Sequence, residues 1–343
     1  MRSLETESAP PPSPQLLCLT PMKNEAWIAT RYAAANATWA DLLLVSDQGS
    51  TDGTEDCLAG HDKVRLVPNR SREFDERHRQ LLLIDAARQV DGPRTLVALD
   101  ADEALSANAR DSTEWDKLRG APPGTVLRFK WVNILPDCQR AWIPAGHRVF
   151  GFVDDGTPHN AERIHSTRVP SPDGAPVIDF EEIVVLHFQY VAWDRMVSKN
   201  RWYQAWETLE RPERGPLDVF RQYHHMLGSW DPSEIVPLKP EWLEGYLRQG
   251  IDFTTLRCEE VPWWDRELLD WLLEHGTKRF RRCAIWDRNW RDVARSVGEP
   301  VDSLTDPRSR FDRFVHRYLA ATQHRRSSID VRIAERCLRM GGW

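Results

Sequence analysis

Near residue 100 an apolar run ends abruptly in acid: Leu96-Val97-Ala98-Leu99 is followed by Asp100-Ala101-Asp102-Glu103. Side chains repeat every two residues along a strand, so at a strand end Asp100 and Asp102 point to the same side. Two carboxylates held that close repel each other unless a cation sits between them. Hard oxygen ligands suit Mg²⁺ or Mn²⁺, ions that commonly complete their coordination with substrate phosphates. The chemistry indicated is a metal–phosphate site. The bland alternative is a solvated acidic loop, since Asp is common where strands stop.

Such carboxylates need a scaffold. Residues 15–20 (QLLCLT) read as a buried strand, 24–37 as a helix, and 41–46 as a second strand closed by Asp47-Gln48-Gly49-Ser50. A helix begins in 51–58, and 64–67 is a short third strand. An amphipathic helix covers 75–90, with Leu82, Ala86 and Val90 among its apolar positions, and 96–99 is the fourth strand. This β-α-β-α-β-α-β order predicts a parallel sheet with right-handed crossovers, whose ligands bind beyond the carboxyl ends of the strands. Residues 21–25, 47–54 and 100–103 each follow a strand end, so three polar clusters are expected on one sheet edge. From 125 to 190 the pattern changes to strands and loops, with strands expected at 126–129, 147–150 and 183–186. Beyond Trp193 it turns helical and rich in Arg, Trp and Leu, with prolines at 212, 216, 232, 237 and 240. The expected organisation is a disordered Pro-rich tail (1–14), an α/β unit (15–190) and a mostly helical region (191–343) serving an acceptor site or oligomerisation.

The 343 residues carry a net charge of −6, which argues against a general nucleic-acid binder. Six cysteines, at 18, 57, 138, 258, 283 and 337, show no zinc spacing and no disulfide framework, which fits a reducing, cytoplasmic setting. The N-terminus has no secretory pattern, and no apolar run approaches the ~20 residues of a membrane span. Sixteen tryptophans are present, many in the second half, suited either to stacking on flat ligands or to helix packing.

Three segments together resemble the nucleotide-sugar-dependent glycosyltransferases of family 2, which have the GT-A fold with its mostly parallel central sheet. Pro21-Met22-Lys23-Asn24-Glu25 is similar to the family's opening "KNE". Asp47-Gln48-Gly49-Ser50-Thr51-Asp52-Gly53-Thr54 is similar to its "DxGSTDGT", and Leu99-Asp100-Ala101-Asp102-Glu103 to its "LDADE", a DXD-type motif. The likeness covers roughly residues 15 to 190. It implies an inverting, metal-dependent transferase (Mn²⁺ or Mg²⁺) that moves a sugar from a nucleotide-sugar, a UDP-sugar favoured, to a hydroxyl or amine. It further implies donor contacts at Pro21, Asn24, Glu25, Asp47, Ser50, Asp52, Asp100 and Ala101. Acids such as Glu25 and Asp47 can accept from a base N–H or a ribose hydroxyl, and Asp52 can shape the turn. Asp102 is the expected direct metal ligand, Asp100 facing ribose or reaching the metal through water. Glu103 is either a supporting acid or an ordinary helix-start acid. Within the basic stretch Arg70, Arg72, Arg77, His78 and Arg79, the residue that follows Phe74-Asp75 at Arg77 is expected near the donor phosphates. His187, in Leu186-His187-Phe188, resembles the family's histidine at the last strand and is expected on the metal or diphosphate.

Inversion in one displacement needs a base for the acceptor proton. Relatives with "LDADE" often carry a downstream "VHE". The nearest match here is Arg163-Ile164-His165-Ser166-Thr167-Arg168, where Ser166 replaces the glutamate. His165, Glu162, Asp154, Asp155, Glu181 and Glu182 are the base candidates. A saccharide, a nucleoside or another small molecule is the expected acceptor. Two other readings compete: a sugar nucleotidyltransferase, whose Gly-rich loop is missing after Thr20, and a non-catalytic saccharide- or nucleotide-binding protein on the same fold.

Overall fold

The computed structural model describes residues 14–71, 73–163, 166–224, 234–256, 258 and 261–343. Most of the expected tail, and His165 and Arg72, lie outside them. The chain divides into two compact units. One holds the described residues through Phe188 together with Pro237–Leu256, and the other holds Gln189–Val236 with Arg257–Trp343.

The first unit is α/β. It opens β1 (Gln15–Met22), α1 (Ala26–Asn36), β2 (Leu42–Asp47), α2 (Thr54–Leu58), β3 (Val64–Leu66), α3 (Glu76–Arg88) and β4 (Arg94–Ala98). β1 pairs in parallel with both β2 and β4, and β2 with β3. Strand β1 is apolar because helices cover both its faces: Leu16, Leu17, Cys18 and Leu19 are all buried. Helix α3 starts at Asp75, whose carboxylate accepts from the His78 N–H at 3.0 Å. It packs Leu83, Ile84 and Ala87 onto Leu17, Leu44 and Leu96 of the sheet.

Beyond β4 come β5 (Glu103–Leu105), α4 (Trp115–Gly120), β6 (Val126–Ile134), β7 (Arg140–Trp142), β8 (Arg148–Val153) and β9 (Val177–His187). The sheet runs β7-β6-β8-β4-β1-β2-β3, with β9 pairing both β6 and β5. Its first half is parallel, while β8 is antiparallel to β4 and to β6. Several elements depart from expectation: β6 runs past 129 to Ile134, β8 past 150 to Val153, and β7 was not foreseen. β5 was not foreseen, being three residues long and directly after the acids. β9 extends over Val177–His187, far beyond 183–186. Glu103 is thereby corrected: it opens a strand rather than a helix. The returning segment Pro237–Leu256 completes this unit, with Tyr246 donating to the Leu105 carbonyl at 2.5 Å. Phe253 stacks on Phe188 at 3.9 Å between centroids.

The second unit is helical, as expected. Its helices are α5 (Trp193–Glu210), α6 (Pro216–His224), α8 (Trp263–His275), α9 (Trp290–Val297), α10 (Arg310–Ala321) and α11 (Ile329–Met340); the short β10 (Ile235–Pro237) and α7 (Glu244–Arg248) mark the return to the first unit. Leu268, Leu269, Leu272, Phe280, Trp286 and Trp290 form one core, and Leu217, Phe220, Val315, Leu319 and Trp343 another. Trp202, Trp206 and Trp264 are also buried, so these side chains serve packing. No described helix is long and apolar enough to cross a membrane. All six cysteines are unbridged.

Candidate functional site

The polar segments after β1, β2 and β4 meet because those strands are parallel neighbours: Met22 lies opposite Asp47, and Leu19 opposite Ala98. The first two segments are knitted together. Asn24 adopts φ 55°, which turns its backbone N–H onto Ser50 Oγ at 2.7 Å, while its Oδ1 accepts from the Thr51 N–H at 2.8 Å. Asp47 is buried and accepts from the Ser50 N–H at 2.8 Å and from Ser50 Oγ at 2.5 Å. Asp52 accepts from the Ala26 N–H at 2.9 Å and the Thr54 N–H at 3.0 Å, so one carboxylate caps the first turns of α1 and α2. Gly49 at φ 68° and Gly53 at φ 92° supply the left-handed corners. Glu25 accepts from Trp27 Nε1 at 2.6 Å. Pro21 lies on β1 opposite Ser46.

The acidic turn has a different construction. Asp100-Ala101-Asp102 forms the turn between β4 and β5, with Ala101 buried inside it. The buried Glu103 carboxylate accepts from the Asp100 N–H at 2.8 Å and from Trp131 Nε1 at 2.8 Å. Arg168 binds two of the acids at once: its Nη2 donates to Asp100 Oδ2 at 2.7 Å and its Nη1 to Glu103 Oε2. The guanidinium also lies over the Phe150 ring, 5.2 Å from its centroid. Burial opposes its charge, but Asp100, Glu103 and then Asp102 outweigh burial and hold Arg168 above the usual arginine range. The cation that close carboxylates demand is thus partly furnished by the chain.

Asp102 faces His187. The β5–β9 register sets Glu103 opposite His187, the β6–β9 register sets Asn133 beside it, and the Phe188 N–H donates to the Asp102 carbonyl at 2.8 Å. Trp131 stacks on the imidazole at 4.6 Å and 19°. His187 Nδ1 is 2.7 Å from Asn133 Oδ1, an acceptor, so Nδ1 carries the hydrogen. Nε2 then faces Asp102 Oδ2 at 3.5 Å. Two electron-rich atoms so disposed suit a cation or a proton between them.

This tests the fit of a divalent metal. Among the described residues no three or more His, Cys, Asp or Glu gather into a complete cage. What gathers is a pair, and ions of the Mg²⁺ type use few protein ligands together with water and phosphate oxygens. An imidazole whose far nitrogen is fixed by a carbonyl, beside a carboxylate, is a donor set that fits Mn²⁺. Asp102 and His187 therefore fit the group, whereas Asp100 Oδ2 is engaged by Arg168.

Other expected residues fall elsewhere. Arg77 is exposed in the first turn of α3; the neighbour that reaches the β2 loop is Arg79, which donates to Gln48 Oε1 and covers the Phe74 ring at 4.8 Å. Gln48 in turn donates to the Ser71 and Glu73 carbonyls. Asp155 is corrected as a base: β8 is antiparallel to β4 with Val153 opposite Thr95, which puts Asp155 past the opposite sheet edge. Its carboxylate is turned onto the Thr157 N–H at 2.9 Å. Asp154 shares that edge and is ion-paired with Arg88 at 2.8 Å. Glu182 is corrected likewise: it lies well upstream of His187 on β9 and accepts from Ser112 Oγ at 2.6 Å. Glu181 pairs with Lys130 on the exposed sheet face. Glu162 is exposed in the loop before Arg168, its N–H donating to Ser166 Oγ at 3.1 Å. Arg168, Trp131 and Asn133 were missed. The only sequence signal for Arg168 was its place two residues beyond Ser166, in the segment already compared with "VHE".

No family model and no curated protein matches the chain. Among solved structures, glucosyl-3-phosphoglycerate synthase from Mycobacterium tuberculosis is similar at 19% identity and a TM-score of 0.25, over 33% of this chain. That structure is a complex with Mn²⁺, uridine diphosphate and glucosyl-3-phosphoglycerate, and a complex of the same enzyme with phosphoglyceric acid gives the same figures. The chain spans 43% of the length of that neighbour.

Proposed function

We propose that the first unit is a nucleotide-sugar glycosyltransferase that inverts the anomeric centre, with a UDP-sugar as the favoured donor. The observation that carries this reading is the Asp102–His187 pair, oriented by Asn133 and set beside the Arg168-bound Asp100 at the ends of parallel strands. A divalent ion, when bound there, supplies positive charge for the diphosphate that leaves with the bonding electrons. The acceptor oxygen bonds to the anomeric carbon as the bond to the diphosphate oxygen breaks, and the acceptor proton passes to a base. Arg168 holds Asp100 in place through its Oδ2, and Asn133 keeps the His187 tautomer. The buried Asp47 loop, shaped by Asn24, Ser50 and Asp52, is the proposed nucleoside side of the site. Arg79 is the basic residue that contacts that loop, and Glu162, exposed in the loop before Arg168, is the base candidate retained.

Calorimetric titration of the full chain with UDP and GDP, with and without Mn²⁺, tests the reading. Metal-dependent binding that disappears in Asp102→Ala supports it. Equal binding without metal, or none of either nucleotide, removes it. Release of UDP from UDP-glucose, with no pyrophosphate formed from a sugar phosphate and UTP, separates it from the nucleotidyltransferase alternative.

A further inference from the structure

The second unit holds a cavity of about 280 Å³ between α5, the start of α6 and residues 277–283. Five cationic side chains line it (Arg214, Lys278, Arg279, Arg281 and Arg282), and among the described residues no carboxylate does. Arg214 is committed to Glu207 at 2.5 Å. Among the described residues Lys278, Arg279 and Arg281 form no ion pair; Arg279 donates only to the Thr208 carbonyl at 3.3 Å, and Arg282 to that of Gly342. Burial and then the charge of Arg281 hold Arg282 below the usual arginine range, with Asp312 opposing. Cys283 adds no negative charge, since burial pushes its thiol up to about 11.

A second, independent observation comes from the wall. Gln204 is 1% exposed and lines the cavity. Its Oε1 accepts from the Ala284 N–H at 2.9 Å, and its Nε2 is the other end of the same buried amide. That Nε2 is buried without a hydrogen-bond partner. A buried donor left unmade is costly, and native proteins usually give such a group a partner.

We propose that this cavity is a binding site for a small phosphorylated anion, with Arg279, Arg281, Arg282 and Lys278 supplying charge and Gln204 Nε2 a buried hydrogen bond. Convergent guanidinium groups are suited to phosphate oxygens. The volume limits the ligand to something compact, on the scale of pyrophosphate or a sugar phosphate, because pockets for drug-sized ligands run from about 300 Å³ upward. The site lies wholly in the helical unit and does not rest on the donor-site reading.

The test is calorimetry on the full chain in EDTA, which removes metal-dependent binding elsewhere, with inorganic phosphate, pyrophosphate, glucose 6-phosphate and glucose as probes. Saturable binding of at least one phosphate, weakened by salt, with no binding of glucose, is expected. The paired surface variant Arg279→Gln/Arg281→Gln is expected to weaken it about tenfold or more. Gln204→Glu keeps an acceptor for the Ala284 N–H but replaces the donor by an oxygen, and is expected to weaken it similarly. UDP–Mn²⁺ titrations are expected to be the same in wild type and in the paired variant. Absence of saturable phosphate binding, glucose binding as well as glucose 6-phosphate, or unchanged affinity in the paired variant each overturns the proposal. If Gln204→Glu fails to fold, the exposed paired variant decides.

Discussion

The acidic turn of the first unit and the basic cavity of the second solve the same problem in opposite ways. Asp100, Asp102 and Glu103 crowd together, but Arg168 neutralises two of them and His187 faces the third. Lys278, Arg279, Arg281 and Arg282 crowd together around a cavity that no carboxylate lines among the described residues. The two regions differ in where outside charge is needed. At the turn the chain supplies much of the compensation itself, with Arg168 on Asp100 and Glu103 and the His187 imidazole facing Asp102, where the divalent ion is proposed. In the cavity Arg214 meets Glu207 and Asp312 acts on Arg281 and Arg282, while Lys278 and Arg279 form no ion pair among the described residues, and the proposed anion would supply that counter-charge.

The comparison breaks most visibly at Asp102. Asp102→Ala is expected to reduce donor turnover at least about a hundredfold, since it removes half of the pair that fits the ion. An unchanged circular dichroism spectrum would confine the effect to chemistry, and near-wild-type turnover would refute the assignment. Removing the internal counter-charge acts on stability instead. Arg168→Met leaves the fully buried Glu103 side chain without its cation, and breaking such a pair costs about 3–5 kcal/mol. Urea unfolding measures this, and a loss below about 1 kcal/mol would mean that the pair behaves as a surface bridge. Asn133→Leu sharpens the account of His187: loss of the orienting carbonyl is expected to weaken Mn²⁺ affinity about 10- to 100-fold while Asp102 stays in place. Fluorescence or calorimetric metal titration checks it.

The smallest effect concerns pH near the basic cavity. His316 accepts from Arg308 at Nδ1 and lies 3.0 Å through Nε2 from the Arg282 carbonyl. Burial, then the Arg308 charge, hold it below its ordinary 6.5. A histidine kept neutral in the fold but protonated in the unfolded chain contributes stability that is present above the unfolded value. That contribution is lost as pH falls through 6.5 toward the folded value. The urea midpoint of the wild type should therefore drop between about pH 7.5 and 5.5 more than that of His316→Gln.

Much of this was legible in the sequence because it was local. The strands of the parallel half are short apolar runs, and polar clusters at their ends were expected to meet, as the β1–β2 and β1–β4 registers show. The change to a helical second half was equally plain. Pairing partners far along the chain were not. Arg168 reaches acids more than sixty residues earlier, and its place two residues beyond Ser166 does not say which acids it binds. Asn133 acquires its role only through the β6–β9 register. Asp155 and Glu182 were plausible by type alone, and strand direction removed them. The cavity of the helical unit was invisible for a similar reason: Gln204 and Arg281 are ordinary helical and loop residues until the fold brings them to one wall.

The proposed role of Asp102 and His187 is to hold a divalent ion against a nucleoside diphosphate. Its most direct test is calorimetric titration of UDP into the full chain with Mn²⁺ and with EDTA, repeated in Asp102→Asn. Saturable binding that requires Mn²⁺ and is lost in the variant is expected. Binding of equal affinity in EDTA, or in Asp102→Asn with Mn²⁺, would contradict it.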